Sequence, residues 1–156
     1  MKNNFQEQFA ALSRQEKKTD ELYHRIATRL SLSDSVFWAL FCLCEDSELY
    51  TQNSLAETLC IPKQTLNSAI SNLVKDGYIY LEQMAVARNS KSIHLTEKGR
   101  EFCNRFILPV INAEENALMR MTEAEIADYL TLSQKQSQFL QEELNAFLEA
   151  VRSEKQ

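Results

Sequence analysis

Turn-forming residues are scarce in this 156-residue chain, which has only two glycines and two prolines. Tight hairpins need such residues, so a loop-rich or all-β architecture is excluded and a mostly helical protein is expected. Long apolar runs are missing too. The longest, Val36 to Cys44, is about half of the ~20 residues that a membrane span requires, and it reads as a buried helix rather than a contact with membrane. The opening residues show no basic segment followed by an apolar one, so no secretory signal is read and a cytoplasmic protein is expected. In that compartment the four cysteines are expected to be reduced thiols. Cys42 and Cys44 lack the Cys-x-x-Cys spacing of zinc and redox sites and read as inert, buried residues, while Cys60 and Cys103 read as lone thiols. His24 and His94 are the only histidines, so no metal site and no cofactor are expected. Gly-rich phosphate loops, paired-carboxylate motifs and nucleophile elbows are all lacking, and an enzyme is not expected.

What the chain does contain is a helix of unusual surface, from Pro62 to Gly77. Proline suits a first helical turn, where a missing N–H costs nothing, and glycine suits the left-handed residue that closes a helix. Leu66, Ile70, Leu73 and Val74 recur at helical spacing and predict the buried stripe. Lys63, Gln64, Thr65, Asn67, Ser68, Ser71 and Asn72 are left to face outward or flank that stripe. Serine, threonine and asparagine are poor helix formers, so an ordinary solvated helix would carry Glu and Lys instead. Amide and hydroxyl groups suit base edges and phosphates, which makes these residues candidate DNA contacts; the alternative is a plain solvated face.

The segments around this helix supply its context. Residues 4 to 30 read as one long amphipathic helix with Phe5, Phe9, Leu12, Tyr23, Ile26 and Leu30 at helix-compatible intervals. Ser33 caps a second helix that is apolar almost all round, and Thr51 caps a short third one burying Leu55, Ala56 and Leu59. This third helix and the polar one form a helix-turn-helix. Strand formers at Tyr78 to Met84, a turn over Ala85 to Ser90 and alternation over Lys91 to Thr96 predict a β-hairpin. A further helix starts at Thr96, with Pro109 expected to kink or interrupt it. Thr122 and Glu125 have the spacing of a capping box ahead of the last long helix. The fold class read from this order is mainly α with a small hairpin wing: a winged helix-turn-helix with additional terminal helices.

Charge is distributed unevenly. Residues 62–100 hold six Lys/Arg against three acids, whereas the remainder holds eleven against nineteen, so a cationic middle sits in a chain of net charge −5. That pattern suits a modest DNA-binding face on an acidic protein, or simply solvated charge.

Three segments together resemble the MarR family of winged-helix transcriptional regulators: Thr-Gln-Asn-Ser-Leu-Ala-Glu at 51–57, Asn-Leu-Val-Lys-Asp-Gly-Tyr-Ile at 72–79, and Ile-His-Leu-Thr-Glu-Lys-Gly at 93–99. The resemblance implies one unit over 1–156, with dimerisation helices at 1–31 and 101–156 and a DNA-binding region at 32–100. It further implies a homodimeric repressor on double-stranded DNA, and a crevice for a small aromatic or amphipathic effector. Tyr23, Phe37, Trp38 and Phe41 are the candidates to line that crevice, with plain core packing as the alternative. The chain departs from the family at the wing, where Ala87 and Asn89 replace the usual Asp-x-Arg pair around Arg88. Arg88, Asn89 and Lys91 are therefore the expected wing-tip contacts. A second reading, a helical protein-interaction module that kept the winged fold and lost DNA reading, stays open because of that altered wing.

The dimer has a physical reason of its own: Phe5, Phe9, Leu12, Phe139, Leu144, Phe147 and Val151 are more apolar surface than the terminal helices of a small chain can hide alone. Lys63, Lys75, Arg88, Lys91, Lys98 and Arg100 are the candidate phosphate contacts.

Overall fold

The computed structural model describes residues 2–45, 49–84 and 90–154. Packing divides the chain into two units, residues 1–111 and 112–156.

The first unit opens with α1 (Lys2–Arg29), α2 (Asp34–Glu45), α3 (Gln52–Thr58) and α4 (Lys63–Lys75). The hairpin strands β1 (Ile79–Gln83) and β2 (Lys91–Leu95) follow, then α5 (Glu97–Phe102), a π-helical turn (Cys103–Ile107) and the start of α6 (Leu108–Leu118). The expected element order is therefore observed, including the hairpin wing. Among the described residues no single helix is long and apolar enough to cross a membrane.

Helix α2 is the centre of this unit. Phe37, Ala39 and Leu40 have no exposed surface, and Leu55 of α3, Leu66 and Ile70 of α4, Ile79 of β1 and Ile107 of the π turn complete the same core. Burying side chains of this size stabilises by about 1.5–3 kcal/mol each. The buried side of α4 consists of Leu66, Ala69, Ile70 and Leu73, whereas Val74, expected in the stripe, is 42% exposed. At about 3.6 residues per turn, Val74 falls at the margin of the arc that Ala69 helps to fill, and the small Ala69 side chain lets α4 lie close to its neighbours.

Helix ends follow local chemistry. Thr51 and Ser54 form a capping box at α3, with Ser54 N–H donating to Thr51 Oγ1 at 3.2 Å and Thr51 N–H to Ser54 Oγ at 2.9 Å. Ser33 Oγ accepts from Val36 N–H at 3.3 Å. Schellman turns close α1, α3 and α4 around Ser31, Cys60 and Gly77, all at positive φ. Gly77 meets that requirement without a Cβ penalty. The α-helical run is interrupted just before Pro109, as expected: a π turn widens the helix up to Ile107, where an α-turn would have set the proline ring against the carbonyl of Arg105.

One expectation about the cysteines is overturned. Cys44, in the last turn of α2, is bonded to Cys103, the first residue of the π turn, in a disulfide with a Cα–Cα distance of 6.3 Å. Thiols 59 positions apart meet because α2 packs along the π turn, a proximity that sequence spacing does not carry. In the chain-entropy picture, closing a loop of that length stabilises the fold by about 4 kcal/mol. Cys42 and Cys60 are not in a disulfide, the first buried and the second exposed.

The second unit holds the end of α6, a turn, and α7 (Glu123–Glu154). Thr122 and Glu125 form the expected capping box, with Thr122 N–H donating to Glu125 Oε2 at 2.8 Å and Glu125 N–H to Thr122 Oγ1 at 3.3 Å. Phe139, Leu140, Leu144, Phe147 and Leu148 are about half exposed or more along α7.

Candidate nucleic-acid interface

Lys63, Gln64, Thr65, Asn67, Ser68, Ser71 and Asn72 are all exposed on α4, as the sequence pattern predicts. Gln64, Ser68, Ser71 and Lys75 lie opposite the buried side, with Asn67 on one flank and Thr65 and Asn72 on the other. The structure separates them by chemistry. Ser68 Oγ donates to Gln64 O at 3.1 Å and Ser71 Oγ to Asn67 O at 2.8 Å. Those hydroxyl protons are held by the helix itself, leaving oxygen lone pairs outward. Lys63, Gln64, Asn67 and Asn72 make no side-chain hydrogen bond among the described residues, so their donors and acceptors face solvent unspent.

The far end of α4 is held by the segment Thr96 to Arg100. Thr96 Oγ1 donates to Gly77 O at 2.7 Å and accepts from Gly99 N–H at 3.0 Å, so one hydroxyl caps α5 and anchors the chain leaving α4. Lys98 Nζ donates to Asp76 O at 2.6 Å and lies 4.5 Å from the centre of the Tyr78 ring. Arg100 Nη1 donates to Leu95 O at 2.7 Å. Gly99 is buried against the Tyr78 carbonyl, where an added Cβ would lie far inside van der Waals contact distance of the oxygen. Lys98 and Arg100, expected as phosphate contacts, thus direct their heads to main-chain carbonyls. These bonds tie the ends of α4 and β2 to α5, and a helix C-terminus favours such cations; both side chains are exposed.

In the wing, β1 and β2 pair antiparallel from Ile79 opposite Leu95 to Gln83 opposite Lys91. Tyr50 O accepts from Ile93 N–H at 2.8 Å and Thr51 bridges to Ser92, fixing the hairpin to the start of α3. His94 stacks on Tyr80 with ring centres 5.1 Å apart and shares a 2.8 Å hydrogen bond with Ser92 Oγ. Glu82 Oε2 lies 3.4 Å from the same His94 nitrogen. Lys91 is exposed at the start of β2. Arg88 and Asn89, the expected wing-tip contacts, lie outside the described residues, as does Ala87.

The four aromatic candidates form one cluster. Trp38 lies 4.7 Å from Tyr23, 5.2 Å from Phe37 and 5.3 Å from Phe41, centre to centre. Phe37 and Phe41 are buried core residues. Only Trp38 of the four lines the adjoining cleft, about 590 Å³ in volume, together with Asp34, Ser35, Thr58, Leu59, Ile61 and Thr65. A second concavity sets Ser33 and Ser35 beside Gln64, Thr65, Ser68 and Asn72. These two serines extend the polar face of α4. Their sequence signal, a capping pattern at α2, concealed that second placement.

No family model and no curated protein matches the chain. Among solved structures, a MarR family regulator from Neisseria meningitidis aligns at a TM-score of 0.68 with 18% identity, covering 86% of this chain and 97% of that one. S. aureus MepR in its DNA-binding conformation aligns at 0.71 with 19% identity, covering 85% and 98%. The S. aureus MepR–DNA complex aligns at 0.65 with 20% identity, covering 85% and 97%. The winged-helix fold of MarR-type regulators is therefore the fold of this chain.

Proposed function

We propose that the protein is a sequence-specific, double-stranded DNA-binding transcriptional regulator that acts as a homodimeric repressor. The observation that carries this reading is α4: its unspent amides and lysine face solvent while its C-terminal end is fixed by hydrogen bonds from Thr96 and Lys98. A rigid, polar, weakly charged helix is suited to a major groove, where Asn and Gln pair bidentately with adenine. The likeness to a fold that binds DNA in the MepR complex supports the same reading. Exposed Phe5, Phe9 and Leu12 on α1, and Phe139, Leu144 and Phe147 on α7, support a second copy as the cover for each helix. A two-fold pair would set its α4 helices about 34 Å apart, one duplex turn, and so read a near-palindrome.

The cleft beside Trp38 supports release by a small aromatic or amphipathic effector, since its volume lies in the range of ligand sites, about 300–1,000 Å³. Thr65 of α4 is part of its wall. An effector bound there that disfavours the DNA-bound seat of α4 must lose affinity for the DNA-bound protein by the same factor.

Fluorescence anisotropy with DNA from the region upstream of the protein's own coding sequence tests the reading. Each Lys that neutralises a phosphate contributes about 0.9 to the log–log salt slope. Asn67→Ala is expected to weaken this DNA about tenfold, as loss of a base contact worth about 1–3 kcal/mol would, and to leave random DNA nearly unaffected. Lys91→Ala should weaken both alike. Equal losses for Asn67→Ala on the two DNAs would remove the base-reading role, and no salt-dependent binding at all would favour the interaction-module reading.

A further inference from the structure

Cys44 and Cys103 occupy a place in the fold where a bond between them bears on α4. Cys44 lies in the last turn of the helix on which α4 rests, and Cys103 opens the π turn. π turns frequently mark functional positions within helices. The two sulfurs also differ in access: Cys103 is 3% exposed, whereas Cys44 is half-buried at the edge of the same core. A half-buried thiol beside a fully buried one is the arrangement of an attacking and a resolving cysteine.

We propose that Cys44 and Cys103 are a reversible thiol–disulfide pair, oxidised by a peroxide, whose state sets the seat of α2 and thereby of α4. In the forward direction the Cys44 thiolate attacks one peroxide oxygen. An S–O bond forms, the O–O bond breaks, and the other oxygen leaves with a proton as water or an alcohol, giving the sulfenic acid. The Cys103 thiolate then attacks the Cys44 sulfur. The S–S bond forms, the S–O bond breaks, and the departing oxygen takes up the proton released by Cys103 and leaves as water. Two electrons have passed from the sulfur pair to the peroxide. A dithiol reductant reverses the change by exchange through a mixed disulfide on Cys44.

The mechanical consequence follows from contact distances. Bonded sulfurs lie about 2.05 Å apart, whereas non-bonded heavy atoms stand off by about 3.5–4.0 Å, so reduction must open the pair by about 1.5 Å. Cys44 is half-buried at the core edge, but Cys103 is fully buried in the π turn, in a core packed as tightly as an organic crystal. The opening is therefore taken up on the Cys44 side, in the last turn of α2, and α4 packs on α2. The influence on DNA rests on the regulator reading above; the redox change itself does not.

Trp38, the only tryptophan, is on α2 and reports the movement without DNA. The full-length protein is reduced with dithiothreitol, exchanged into buffer and treated with equimolar hydrogen peroxide. It is then followed by mass spectrometry of alkylated peptides, Trp38 emission and anisotropy with the upstream DNA. The expected result is a Cys44–Cys103 linked peptide that dithiothreitol removes under native conditions, a reversible shift in Trp38 emission, and a change in DNA affinity of about fivefold or more, the lower end of ordinary coupling. The Cys42→Ser/Cys60→Ser double variant should keep all three responses and Cys44→Ser should lose them. Failure of the linked peptide to form, its persistence under native reduction, or its formation with unchanged Trp38 emission and DNA affinity would each overturn the proposal. Reversible linkage with shifted emission and no DNA binding in either state would support the pair and overturn the regulator reading. Wild-type titration decides these outcomes even if a cysteine variant does not fold.

Discussion

Replacing Thr96 by valine removes one oxygen and conserves shape, so its effect isolates the hydrogen bonds that hold the end of α4. The Thr96 hydroxyl accepts from Gly99 N–H at the start of α5 and donates to the Gly77 carbonyl just past α4. Loss of an N-cap oxygen typically costs about 1 kcal/mol, and loss of a part-buried hydroxyl–carbonyl bond about 1 kcal/mol more. The Tyr78 carbonyl, which shares the same hydroxyl proton at 3.1 Å, keeps its bond from Thr96 N–H at 2.9 Å and adds little further loss. Thr96→Val should therefore destabilise by about 2 kcal/mol, roughly a thirtyfold shift in the folding equilibrium. Urea unfolding followed by circular dichroism, at one fixed protomer concentration because assembly shifts apparent stability, should show a lower midpoint with an unchanged slope. Amide exchange should rise most at the last turn of α4 and the first turn of α5. Thr96→Ser keeps the oxygen and should recover most of the loss. A valine variant within about 0.5 kcal/mol of the wild type, or a serine variant as damaged as valine, would refute the clamp.

Two further outcomes follow from other local features. Gly99→Ala drives a Cβ into the Tyr78 carbonyl, a main-chain contact that no side-chain rotation relieves. It should cost about 3 kcal/mol or more, whereas Gly77→Ala, in open space at φ +76, should cost only about 1 kcal/mol; denaturation midpoints in the reverse order would refute this account. Glu125 is held below the ordinary carboxylate range by the hydrogen bond from Thr122 N–H and then by that from the Thr122 hydroxyl. A lowered folded-state pKa means that its support for the α7 capping box is complete above the unfolded value and disappears as pH falls through the folded one. Acid titration of α7 helicity should show fraying over that window in the wild type and none attributable to this site in Glu125→Gln.

Much of the fold can be read from the chain because helix ends and strand periods are local properties. Thr51, Thr96, Thr122 and Gly77 act on backbone groups within a few residues, and the structure places each where its neighbours predict. Exposure of Gln64, Asn67 and Asn72 was legible for the same reason: the period of α4 orients them relative to Leu66, Ile70 and Leu73. Val74 was misread because a helical stripe has a margin, and only the neighbouring elements decide which residue at that margin is covered. The bonds of Lys98 and Arg100 were not legible because a sequence does not show which carbonyls a folded chain leaves within reach.

The sequence by itself therefore determined the helical character of the chain, its capping points and the polar composition of α4, all consequences of short-range stereochemistry and side-chain chemistry. Tertiary structure alone decided that Thr96 and Lys98 hold the end of that helix, that Ser33 and Ser35 extend its face, and that Cys44 meets Cys103. Those relations join residues 20 to 60 or so positions apart, and such distances in sequence become contacts only when a packed core brings separate elements together.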